Sequence, residues 1–207
     1  MKFYFDYVDP LSFAVDVLLR RRATAAGEAP PATTEGSASA NTPAAGGVPR
    51  IVERIPFERV PPPCELTDPD DPAWRRALGV AEEVAGSLGI SLSHPWIVPW
   101  TRKAHELALH AAQLGVGEEI HSGLFDAFFI EGLDIGRIDV LQELASRHGL
   151  DPTETKATLD TDRYTERIEA LRRGARATGV TRVPTLIRKG ARLEGFHNAH
   201  DLRTFLQ

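Results

Sequence analysis

The short apolar run over residues 2–7 predicts a strand. Across 10–25, Phe13, Val17 and Leu18 share one face, which predicts a helix opened by a proline at its first position. The run 23–47 is rich in Ala, Pro, Thr, Gly and Ser and has too little apolar surface to pack a core. It reads as a flexible insertion. Ile51, Val52 and Ile55 supply buried positions for a second strand, 50–57, and Pro61 to Pro63 leave it along an extended polyproline path. A helical stretch follows. Asp71-Pro72 opens a helix to about Leu88; Ala104, Leu107, Ala108 and Ala111 form the stripe of another, 100–114. Phe125, Phe128 and Phe129 belong to a third; Val140, Leu141 and Leu144 mark a fourth. Gly149-Leu150-Asp151-Pro152 stops that helix and caps the next, and 164–178 completes the set. Two strands turn at Lys189-Gly190, and a last helix runs from 198 to 206.

At 207 residues with 42% hydrophobic content, the chain can bury a sizeable core. A net charge of -5 gives no reason to expect nucleic acid or an anionic membrane as a partner. No apolar run approaches the roughly 20 residues of a membrane span, and no basic and apolar leader precedes the first strand. A cytoplasmic location is therefore the default expectation. The single cysteine, Cys64, cannot form an intramolecular disulfide or a Cys-x-x-Cys pair, and it reads as an incidental free thiol. No metal site is expected. His105 and His110 are five apart, not the i, i+4 of a zinc helix, and His197 and His200 have no third ligand near them in sequence. The charge runs Arg20-Arg21-Arg22 and Arg172-Arg173 are expected on exposed helix surface.

Two short motifs carry the chemistry. Asp9-Pro10-Leu11-Ser12 sits at the first strand–helix junction, and Val183-Pro184-Thr185 precedes a β-branched run. On these, and on Ile55-Pro56-Phe57-Glu58, Thr101-Arg102-Lys103-Ala104-His105 and Phe128 to Ile135 in this order, the chain resembles the DsbA-like thioredoxin family. It is most similar to the branch of FrnE-type proteins and glutathione-dependent 2-hydroxychromene-2-carboxylate isomerases. The resemblance implies an α/β architecture: a thioredoxin fold with an inserted all-helical subdomain. Residues 1–61 and 179–207 would form the thioredoxin-like domain, with 23–47 as a flexible insertion, and 62–178 the helical subdomain. It also implies a cis peptide at Pro184.

In the family the junction carries Cys-Pro-x-Cys; here Asp9 and Ser12 stand at the thiol positions, so dithiol redox chemistry is not expected. The residue before the proline holds sulfur in relatives, at a helix start that favours negative charge. Asp9 is expected there as an ionised carboxylate of low pKa, a good N-cap but a weak base that repels a thiolate. Ser12 reads as a capping or solvated residue, with a catalytic role as the alternative. The resemblance makes Asp9 and Ser12 the candidate catalytic residues and Pro10, Trp96, Trp100, Val183 and Pro184 the candidate substrate-binding residues. The tryptophans would stack on a flat substrate or simply pack the subdomain. Val183, beside a cis proline, would pair with an extended peptide or glutathione. Two functions follow: a glutathione-dependent isomerase or transferase, or a non-catalytic thioredoxin-fold protein binding a small molecule or peptide beside Pro184. Relatives of this type pair as homodimers, which makes a homodimer a further expectation.

Overall fold

The computed structural model describes residues 1–25 and 52–207. From the expected insertion, Ala23 to Ala25 complete the first helix; the remainder lies outside the described residues, as does Ile51. Strand β1 (Lys2–Phe5) leads to helix α1 (Pro10–Ala25), and β2 (Glu53–Pro56) follows. Six helices come next: α2 (Pro72–Gly86), α3 (Arg102–Gln113), α4 (Gly117–Phe129), α5 (Ile138–Arg147), α6 (Pro152–Asp160) and α7 (Thr165–Ala177). The chain closes with β3 (Thr185–Arg188), β4 (Ala191–Glu194) and α8 (Ala199–Leu206). The four strands form one sheet in the order β2-β1-β3-β4. β1 pairs in parallel with β2 and antiparallel with β3, which pairs antiparallel with β4. This is the mixed α/β sheet with a helical insert that the sequence predicts.

Helix ends follow their sequence signals. Asp71 and Asp151 each cap a helix whose first residue is proline. Gly149 and Gly179, at φ 80° and 81°, take the left-handed conformation just beyond α5 and α7. One expectation fails. Pro61 to Pro63 do not continue in an extended path: the Pro62–Pro63 bond is cis, and Cys64 N–H donates back to the Pro61 carbonyl at 3.0 Å. A cis proline at the third turn position closes the chain into a tight turn that polyproline geometry would not allow. β1 also ends at Phe5, two residues early, because Asp6 and Tyr7 turn to enter α1.

The sheet's alternation separates two cores. Phe3, Phe5 and Leu186 face the larger one, with α1 to α6 and α8; Tyr4, Ile55 and Val183 face a smaller cluster completed by Phe57, Ala175 and Val180 under α7. In the large core Phe5, Tyr7, Phe13, Phe125 and Phe129 pack at ring separations of 4.8 to 6.5 Å, many edge to face.

A polar chain crosses this core. Tyr7 hydroxyl and His121 Nδ1 are 3.0 Å apart, and His121 Nε2 lies 3.2 Å from Asp16 Oδ1. Arg20, one turn on from Asp16, reaches it at 2.8 Å and clasps Asp126 through two bonds. Arg20 is therefore half-buried and paired, a correction to the exposed face expected of Arg20 to Arg22. Burial pushes the Asp16 carboxyl up, but His121, Arg20 and Arg54 together hold it below the usual carboxylate range. Burial holds His121 below the ordinary imidazole value, so it is neutral near pH 7, with Nε2–H donating to Asp16 and Nδ1 accepting from Tyr7. The chain ties α1 to α4 and fixes the helix whose start bears Asp9.

Asp16→Ala is expected to cost about 1–3 kcal/mol, because it leaves the buried His121 donor without a partner, while Arg20 keeps its two bonds to Asp126. A lowered midpoint of urea unfolding at unchanged slope checks this.

Candidate functional site

The site begins at the start of α1. Asp9 N–H donates to the Asp6 carbonyl, and Asp9 Oδ2 accepts both the Ser12 N–H and the Ser12 hydroxyl, each at 2.7 Å. With Pro10 in the first helical position, this is a complete N-cap. Asp9, Pro10 and Ser12 are all buried, so Ser12 is a capping group and not a solvated one. Asp9 Oδ1 has no hydrogen bond among the described residues.

The acidity of Asp9 differs from expectation. Burial pushes its carboxyl up; the Ser12 hydroxyl, the Arg59 charge and the Ser12 N–H pull it back only in part, and it settles at about 6. A helix start alone would favour the anion. Withdrawal from water outweighs it here, so Asp9 titrates near neutral pH instead of as a strong acid.

Asp6 organises the surrounding loops. It is buried, and its carboxyl accepts Tyr7 N–H at 2.8 Å and Arg59 N–H at 2.6 Å, with His105 Nε2 at 3.1 Å. One side chain thereby joins the α1 entry, the β2 exit and α3. Arg59 reaches Thr67 at 2.6 Å. Next to it, buried Glu58 takes two bonds from Arg102, at 2.7 and 2.8 Å, and its carbonyl accepts from Arg172 Nε at 2.9 Å. Arg172 lies 5.7 Å from the Phe57 ring centroid and is half-buried, so it departs from the exposed surface expected of this charge run, whereas Arg173 is exposed as expected.

The Val183–Pro184 bond is cis, as the resemblance implied. Both residues are buried. The Pro184 carbonyl accepts Gly195 N–H at 2.8 Å, whereas no hydrogen bond engages the Val183 backbone among the described residues. Val183 and Phe57 share the small apolar cluster, which places the cis-proline edge beside the β2 exit and Arg172.

The two tryptophans separate. Trp100 is 39% exposed and donates its indole N–H to the Cys64 carbonyl at 2.9 Å, on the turn after β2. Trp96 is 72% exposed and lines a hollow of about 290 Å³ with Trp74, Leu78, Glu82 and His94 on the α2 side. Trp74, in turn, donates its indole N–H to the Val8 carbonyl at 3.2 Å.

Sequence reasoning missed Asp6, Arg59, Arg172 and the buried His105 and His121. His121 had a signal: it lies on the same helix face as Leu124, Phe125 and Phe128, where a polar group needs a partner. His105 and Asp6 had none, since they meet across 99 positions. Among the described residues no group of three or more His, Cys, Asp and Glu side chains is placed to hold a metal ion. None of the described helices is long and apolar enough to cross a membrane.

Known proteins share this frame. The uncharacterized protein YwbO of Bacillus subtilis (strain 168) is 34% identical over 144 residues, which cover 66% of this chain and 70% of that one. The structure of a 2-hydroxychromene-2-carboxylate isomerase superposes with a TM-score of 0.73 at 17% identity, covering 99% of this chain and 92% of that one. Cytosolic disulfide reductase DsbM from Pseudomonas aeruginosa, solved with glutathione, superposes with a TM-score of 0.63 at 16% identity over 99% and 96% of the chains. The pattern of the DSBA-like thioredoxin domain matches residues 76–207. The chain's structural neighbours include proteins named as an isomerase and a disulfide reductase, and its one cysteine rules out a Cys-x-x-Cys pair. The chain belongs to the DsbA-like thioredoxin domain family.

Proposed function

We propose that this protein is a thiol-dependent isomerase or transferase in which a glutathione-type peptide lies along Val183 and Asp9 moves a proton. The observation that carries the reading is the Asp9 carboxyl: buried, titrating at about 6, with Oδ1 unengaged at the start of α1. A catalytic acid–base works best with a pKa near ambient pH. A carboxylate has no redox chemistry, but it can serve thiol addition to an activated double bond. A sulfur–carbon bond forms as the S–H proton passes to Asp9 and on to the adjacent carbon. Conjugation ends there. In isomerisation the carbon–carbon bond rotates, the same proton leaves carbon, and the sulfur–carbon bond breaks, returning the proton to sulfur. The Val183 backbone supplies strand-like pairing for the peptide, which requires no protein thiol. Solution of a structural neighbour with glutathione supports that choice of peptide.

One observation favours a non-catalytic reading. Ser12 spends both its N–H and its hydroxyl on Asp9, so the pair is self-satisfied as a helix cap. In that case the groove binds a peptide or small molecule beside Pro184 without turnover.

Titration calorimetry with glutathione tests whether the groove takes this peptide at all, and a glutathione-dependent isomerisation or conjugation assay on wild type and Asp9→Asn separates turnover from binding alone. Binding by the wild-type protein supports the thiol-dependent reading. Binding only by Asp9→Ser would mean that the groove is intact and Asp9 excludes sulfur, and binding by neither would overturn the proposal.

Insulin-disulfide reduction by the pure protein is expected to be absent. A robust rate, abolished by Asp9→Ala, would contradict this.

Asp9 also sets a pH dependence. Its pKa rises from 3.8 to about 6 on folding, so its contribution to stability is intact below the lower value and lost as pH climbs through the upper one. The shift corresponds to about 3 kcal/mol. Asp9→Asn keeps a capping side chain without the charge. It is expected to be more stable than wild type by roughly 2–3 kcal/mol at pH 7.5, with the gap closing towards pH 4. Urea denaturation at both pH values checks it.

A further inference from the structure

Helix α7 carries Arg172 and Arg176 four residues apart, so they stand as neighbours on one helix face. Arg172 donates only its Nε–H, to the Glu58 carbonyl, and its two terminal amino groups have no partner among the described residues. The Arg176 side chain has none either. The carboxylates around them are taken. Both Glu58 oxygens are held by Arg102, and Glu169 is shared by Arg102 and Arg173. Burial, and next the Arg176 charge, push the Arg172 guanidinium below its ordinary value, while Glu58 and Cys64 oppose that only in part. Two adjacent positive charges with no carboxylate partner among the described residues, Arg172 half-buried and Arg176 exposed, can be bridged by an anion.

Position narrows the anion. Arg172 lies over Phe57, and Phe57 shares its apolar cluster with Val183. The guanidinium therefore packs on the same apolar cluster that holds Val183, the residue along which a peptide backbone would run. Its planar fork matches a carboxylate through paired bonds.

We propose that Arg172 and Arg176 form a carboxylate clamp for one end of the thiol peptide that pairs with Val183. This rests on the reading in which a glutathione-type peptide occupies the groove. The clamp would fix the peptide's direction along the edge and hold its thiol towards Asp9. It selects for a free carboxylate, a chemistry that the helix start cannot read.

The test compares glutathione with its diethyl ester by titration calorimetry, on wild type, Arg172→Gln and Arg176→Gln. Wild type is expected to prefer the free acid by about tenfold or more, the scale of a charge-assisted hydrogen bond. Each variant is expected to lose that preference while binding the ester as wild type does. Arg172→Gln also loses a bond to the backbone, so Arg176→Gln, whose side chain has no partner to lose, keeps the test decisive if the first variant folds poorly. Equal binding of acid and ester by wild type, unchanged in Arg176→Gln, would overturn the clamp and leave the glutathione reading standing. Preference of wild type for the acid that survives both substitutions would place the carboxylate elsewhere and overturn the clamp as well. No binding of either compound by wild type would overturn both the clamp and the reading beneath it.

Discussion

Asp6 is the constraint on which the site's geometry depends. A carboxyl withdrawn from water must be satisfied from every side or it destabilises the fold. Here the satisfaction comes from three separate segments: the backbone of Tyr7, the backbone of Arg59 and the ring of His105. The Asp6 carbonyl also receives Asp9 N–H. The α1 entry, the β2 exit and α3 cannot shift independently without breaking one of these bonds. Asp9, Arg59 and the Glu58–Arg102 pair inherit their places from that arrangement.

Behind this frame, the Tyr7–His121–Asp16–Arg20 chain fixes α1 from the other side. Its residues lie among Phe5, Phe13 and Phe125, where polar groups are costly unless each is paired. The helix start is thus held rigidly from two directions. Rigidity of this kind lets a carboxyl remain buried at an energetic disadvantage, a common feature of groups retained for chemistry. Asp9 is well bonded and still titrates high.

Much of the fold was legible in the sequence because its signals are local. Asp71-Pro72, Asp151-Pro152, Gly149 and Gly179 each mark a helix end through their own backbone preferences. The stripe through Ala104, Leu107 and Ala111 gave α3 its buried face. The two halves of the candidate site were legible as motifs, Asp9 to Ser12 and Val183-Pro184. Its electrostatics were not. The high pKa of Asp9 depends on burial, which no spacing rule expresses, and the Asp6–His105 and Arg172–Glu58 contacts join residues distant in sequence. Pro61 to Pro63 misled for a related reason: polyproline is an intrinsic preference, and a tertiary turn overrode it with a cis bond.

The two faces of the sheet are unequal, and this has a dynamic consequence. The α1 side is closed by a large aromatic core; the α7 side rests on the small cluster of Tyr4, Ile55, Phe57, Ala175, Val180 and Val183. Sub-global opening begins where the least apolar contact is lost. Helix α7 and the segment that follows it to Val183 therefore form the natural unit of partial opening, while α1 and Asp9 stay locked. The backbone amides of α7 should exchange their hydrogens ahead of those in α1. The two faces of the sheet would then live on different timescales: a fixed side that carries Asp9 at the start of α1, and a yielding side that carries Val183.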